Sequence, residues 1–132
     1  MAAFTDFAEN LIMDWVFTNG AATRPTAWYV ALHLNASPPT DASPSTGELS
    51  GNGYARQAAT FSAASGGATA NTADLTFGPN TTTNWGLLGY VSVWDAVSAG
   101  NCLMHGALSS TVTINVNDSL KIAAGDLDLT ID

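Results

Sequence analysis

Between residues 4 and 17 apolar side chains return every third or fourth position. Phe4, Phe7, Ala8, Leu11, Ile12 and Trp15 make one stripe, the spacing of an amphipathic helix. Thr5 suits the N-cap, Asp6 and Glu9 favour the positive end of the helix dipole, and Asn19-Gly20 is a stop signal. The pattern therefore predicts a short N-terminal α-helix over 4–20. Its stripe must be buried, either on the chain's own β-core or against a neighbouring subunit.

After Pro25 the period changes to two. In 26–34, "TAWYVALHL", Trp28, Val30 and Leu32 face one way and Tyr29, Ala31 and His33 the other. Further strands are predicted over 54–61, 71–77, 87–96, 102–108, 111–116, 119–124 and 127–132. They are separated by turn signals such as Gly-Gly, Asn-Asp and Gly-Asp. About eight short strands without helical crossovers exclude a parallel α/β sheet. They predict a mainly β chain: one domain over 1–132, an antiparallel β-sandwich over 26–132, jelly-roll-like. The stretch 35–53 carries Pro38, Pro39 and Pro44 and reads as a long loop, of a length that is usually functional or mobile.

Composition narrows the function classes. The 132 residues are 46% apolar and only 11% charged, with a net charge of −8. Such a chain folds rather than staying disordered. Its cations number three, Arg24, Arg56 and Lys121, too few and too scattered to neutralise phosphates, so nucleic acid is not an expected partner. No apolar run approaches the roughly 20 residues of a membrane helix. No signal peptide is visible, because the early apolar stretch carries Asp6, Glu9 and Asp14 ahead of the first cation. The expectation is a protein made in the cytoplasm and not exported by a signal-peptide route.

One of those three cations sits inside a predicted strand, in "GNGYARQAATF". Strict alternation puts Tyr54, Arg56, Ala58 and Thr60 on one face and Ala55, Gln57, Ala59 and Phe61 on the other. The second face reads as core, which leaves Arg56 on the outside or at a sheet edge. There it either pairs with a strand-end carboxylate such as Asp95 or Asp74, or anchors an interface.

Candidate chemistry is sparse. Cys102-Leu-Met-His105 has zinc-like spacing, but residues three apart on a regular strand point to opposite faces, and His33 is the only other histidine. Asp126 and Asp128 share a face without a calcium-loop pattern, so a solvated acidic edge is expected. No nucleophile elbow, phosphate loop or zinc-protease motif occurs. Trp85, in the loop "NTTTNWG", and Trp94, at a strand end, either plug the core or offer an exposed aromatic surface.

The segments "FAENLIMDWVF", "TAWYVALH", "GNGYARQAATF", "NTADLTFGP", "WGLLGYVSVWDA", "GNCLMHGAL" and "DSLKIAAGDLDLTID" occur in this order. Together they resemble a family of small structural proteins of tailed bacteriophages, variously labelled tail fibre, head decoration or cement proteins. The resemblance implies a short helix followed by a β-sandwich, many copies in a virion assembled in the host cytoplasm, no enzyme activity and no cofactor. The leading expectation is a capsid cement protein, a dimer or trimer whose partners are the major capsid protein and copies of itself. The alternative is a tail fibre component that meets a host glycan through Trp85 and Tyr54. The candidate interface residues are Phe4, Phe7, Leu11, Trp15, Tyr54, Arg56 and Trp85.

Overall fold

The computed structural model describes residues 2–131. In chain order its elements are β1 (Ala2–Phe4), α1 (Asp6–Phe17), β2 (Trp28–Leu34), β3 (Gln57–Ala59), β4 (Ala68–Ala70), β5 (Leu75–Phe77), β6 (Gly86–Trp94), β7 (Cys102–Ile114), β8 (Leu120–Ile122) and β9 (Asp128–Thr130). The chain is mainly β, all pairings are antiparallel, and a short helix stands near the N-terminus, as the periodicities predict.

The helix starts where its cap says it should. Thr5 is extended, with φ −81° and ψ 160°, and its hydroxyl accepts the Ala8 N–H at 3.4 Å. That break keeps Phe4 out of the helix. Phe4 belongs instead to β1, an unpredicted strand pairing with β7 as Ala3↔His105 and Phe4↔Met104. The far end is closed by Thr18, whose hydroxyl donates to the Asp14 carbonyl at 3.0 Å.

Five strands form one sheet in the order β1-β7-β6-β2-β3. The alternation read in β2 holds. Val30 and Leu32 are fully buried in the main core with Val91 and Val93, while Ala31 packs on the other face with Trp94 and Cys102. The stretches 102–108 and 111–116 are not separate strands. They run together as β7 because Leu88 pairs with Val112 and Tyr90 with Ala107, so four β7 residues, 108–111, stand opposite Gly89 as a bulge.

Against the inner face lie two ribbons, β4–β9 and β5–β8. Asn71 joins them. Its Nδ2 donates to the carbonyls of Ala73 (2.8 Å) and Ala123 (2.9 Å), and its Oδ1 accepts from the N–H groups of Gly125 (3.1 Å) and Leu127 (2.9 Å). A single side chain thus satisfies backbone groups at the point where both ribbons bend. Leu75 and Phe77 from β5, together with Leu127, complete the core beneath the sheet.

Residues 35–53 cover part of the opposite face of the sheet. This segment turns back on itself, so that the Leu34 N–H bonds the Gly47 carbonyl (2.9 Å) and the Leu49 N–H bonds the Leu32 carbonyl (3.1 Å). Gly47 has φ +68°, and a Cβ there would lie 2.1 Å from the Ser37 carbonyl oxygen, so no other residue fits without moving the backbone. From this cover Asp41 reaches His105 on β7 at 2.8 Å.

Candidate functional site

Arg56 occupies the middle of that second face, and its side chain is only 6% exposed. Nε and Nη2 each donate to one carboxylate oxygen of Glu48 at 2.7 Å, the bidentate geometry that suits guanidinium and carboxylate. Nη1 donates to the carbonyls of Ala96 (3.0 Å) and Ala99 (2.9 Å), and the guanidinium lies 3.9 Å from the centre of the Trp94 ring. This corrects the expected partners. Asp95 instead accepts from the backbone and side chain of Asn101, and Asp74 pairs with Lys121 at 2.6 Å. The face is the one alternation gives, opposite the core face that holds Ala59, but that face is covered and Arg56 is buried in it. Tyr54 is the residue that departs: it follows a turn in which Gly51, Asn52 and Gly53 all have positive φ, and its ring packs in the main core. Ala59 keeps its predicted inward place.

Beside it lies a chain of buried polar groups. His33 is 0% exposed, with Nδ1 at 2.7 Å from the Thr46 carbonyl and Nε2 at 2.6 Å from Ser92 Oγ. The carbonyl can only accept, so Nδ1 carries the proton and Nε2 accepts from the serine hydroxyl. The Trp94 indole donates to the same Oγ at 2.7 Å. A serine beside a histidine is a nucleophile–base geometry, yet Ser92 is 1% exposed and no substrate could reach it.

Burial holds the His33 pKa below its ordinary value of 6.5. The folded protein keeps this ring neutral while the unfolded chain protonates it. Stability contributed above pH 6.5 is therefore lost as pH falls from 6.5 towards the lowered folded value. Urea midpoints measured between pH 7.5 and 5 are expected to fall with pH, with a flatter profile in His33→Gln. Equal slopes for the two proteins would refute the assignment.

Cys102 and His105 depart from strict alternation. Val93 pairs with Met104 but Trp94 with Cys102, which inserts Leu103 as a bulge and turns both residues to the same face. They still do not meet around a metal. The buried thiol, pushed up by burial to about 12, donates to the Met104 carbonyl, while His105 takes Asp41. No cluster of three potential metal-ligating side chains occurs among the described residues.

The seven candidate interface residues separate into two groups. Tyr54 and Trp85 turn inward with Arg56. The Tyr54 ring stacks on Phe77 and meets the edge of Trp85 at 5.9 Å between centroids. Its hydroxyl accepts the Leu32 N–H at 3.1 Å and donates to Glu48 at 3.3 Å, and burial raises its pKa. Trp85 is 5% exposed and donates to the Asn52 carbonyl. Trp94 is equally buried, so none of these rings offers an exposed stacking surface.

The other four lie at the N-terminal end. Phe4 lines an apolar groove of about 340 Å³ with Trp28, Phe61, Leu103 and Leu129. Leu11 is half-buried, Phe7 is 40% exposed and Trp15 76%. Sequence reasoning missed Met13, Val16 and Phe17, all more than half exposed. The available signal was "MDWVF", where apolar residues fall on both sides of the helix instead of along one stripe.

A β body braced by buried polar struts, with an apolar helix exposed at one end, has the layout of a structural protein that meets other proteins. The model of the family described as podophage GP4 fiber I protein gp80 matches residues 3–130, and the chain belongs to that family. It is accordingly a structural component of a tailed-phage virion. No curated protein matches it.

Proposed function

We propose that the chain is a subunit of a podophage fibre, present in several copies, and that it is held in the virion by protein–protein contacts made through its N-terminal end. The observation that carries this reading is the family match over 3–130, whose description is that of a fibre protein. The geometry supports a non-catalytic role. The His33–Ser92 pair is sealed, the thiol of Cys102 is buried, and among the described residues five of the nine large exposed apolar side chains lie on α1, the others being Leu87, Val97, Val116 and Ile131. Assembly in the host cytoplasm belongs to the same proposal. Glycan contact through Trp85 and Tyr54 has no support from their inward placement.

One observation favours a second reading, capsid cement with the major capsid protein as partner. The described residues form a sheet backed by two ribbons, and none of these elements makes an extended shaft. Labelled protein mixed with heads and with separated tails, both prepared from phage lacking it, distinguishes the two. Label on the tails is expected. Regular decoration of heads would replace the fibre reading with cement.

A further inference from the structure

The stripe of α1 is longer than the surface beneath it. Ala8 is 3% exposed and Leu11 and Ile12 are half-buried, but Trp15, the next residue of the same stripe, is 76% exposed. The helix root is fixed firmly: the Thr5 N–H bonds the Leu103 carbonyl at 3.1 Å and its hydroxyl donates to the Cys102 carbonyl at 2.5 Å. The last turn and a half overhangs the sheet. On it Met13, Trp15, Val16 and Phe17 are 54%, 76%, 51% and 73% exposed. Large apolar side chains concentrated in this way mark a contact surface.

Charge indicates what covers it. Asp6 and Glu9 lie in the first turn, Asp14 in the overhang, and the last turn has no basic residue, so the negative end of the helix dipole is uncompensated. A second copy of this chain is a poor match, because two surfaces of the same sign repel and the molecule carries −8. It also has few cations to offer. Arg56 is enclosed by Glu48, Lys121 is paired with Asp74, and Arg24 lies beyond the helix on the connection to β2. The apolar groove beside Phe4 has no charged residue in its lining.

We propose that the overhanging end of α1 is clasped from both sides by an apolar groove on a different virion protein, Trp15 against one wall and Phe17 against the other, and that the rim of this groove carries lysine or arginine. The rim cations meet Asp14 and the carboxyl end of the helix, and one can also stack on the Trp15 ring. This rests on the reading of the chain as a virion component and adds the docking element and the chemistry of its partner.

Phage lacking the protein, complemented with the full-length chain, provides the test. With Trp15→p-benzoylphenylalanine, irradiated virions are expected to yield a crosslink to another virion protein, at a peptide containing lysine or arginine. Trp15→Ala/Phe17→Ala should lower copies per virion at least about tenfold. Asp14→Lys should lower them several-fold while leaving the apolar end intact. All three sites are exposed, so thermal melting should match wild type. A crosslink mainly to a second copy, wild-type incorporation of the double variant, or indifference to Asp14→Lys would each overturn the proposal. Absence of the wild-type protein from complemented virions would overturn both the proposal and the virion reading beneath it.

Discussion

Arg56→Ala is expected to lower stability by about 3–5 kcal/mol, the usual consequence of removing one partner of a buried ion pair. Glu48, 16% exposed, would keep its charge with its bidentate partner gone, and the carbonyls of Ala96 and Ala99 would lose their donor. Against a total of roughly 5–15 kcal/mol for a domain of this kind, that is a large fraction. Arg56→Lys should recover less than half, because an ammonium cannot fork onto both oxygens, reach two carbonyls and lie flat on Trp94. Arg56→Met/Glu48→Leu should recover more than Arg56→Lys, since it removes both charges together. Urea denaturation of the four proteins measures all of this. A loss below about 1 kcal/mol for Arg56→Ala would show that the pair behaves as a surface ion pair.

That residue also marks the limit of what could be read beforehand. The helix, its Thr5 cap and the faces of β2 were legible because each depends on a local rule: cap chemistry, or a period of 3.6 or 2. The errors fall where a local rule meets a distant partner. Alternation put Arg56 on the correct face, but nothing near it signals that residues 35–53 fold over that face and bring Glu48 to it, or that the Gly-Asn-Gly turn sends the Tyr54 ring into the main core. Ala2–Phe4 became a strand because β7 offered a free edge, a fact invisible from residues 1–5. Bulges at Leu103 and opposite Gly89 changed which side chains share a face and merged two predicted strands into one. The candidate site was half legible for the same reason. The apolar stripe of α1 could be seen, but that the supporting sheet ends before Trp15 could not.

The two tryptophans proposed as contacts are therefore expected to behave oppositely. Trp85→Ala should cost about 3–5 kcal/mol, the range for deleting a large aromatic from a core. Its ring fills the space beside Tyr54 and beneath β6, and its indole N–H is matched to the Asn52 carbonyl at 3.1 Å. Trp85→Phe keeps most of the ring and loses that bond, so about 1 kcal/mol is expected. Trp15→Ala should stay within about 0.5 kcal/mol of wild type, as exposed substitutions do. In the virion the order reverses. Trp85→Phe should be incorporated like wild type, whereas loss of Trp15 should reduce incorporation without touching the fold. Chemical denaturation paired with copy number per virion separates a side chain that holds the molecule together from one that holds it in place. Trp85→Ala unfolding at wild-type denaturant, or Trp15→Ala unfolding at much lower denaturant, would reverse these assignments, because burial and not residue type is what distinguishes the two.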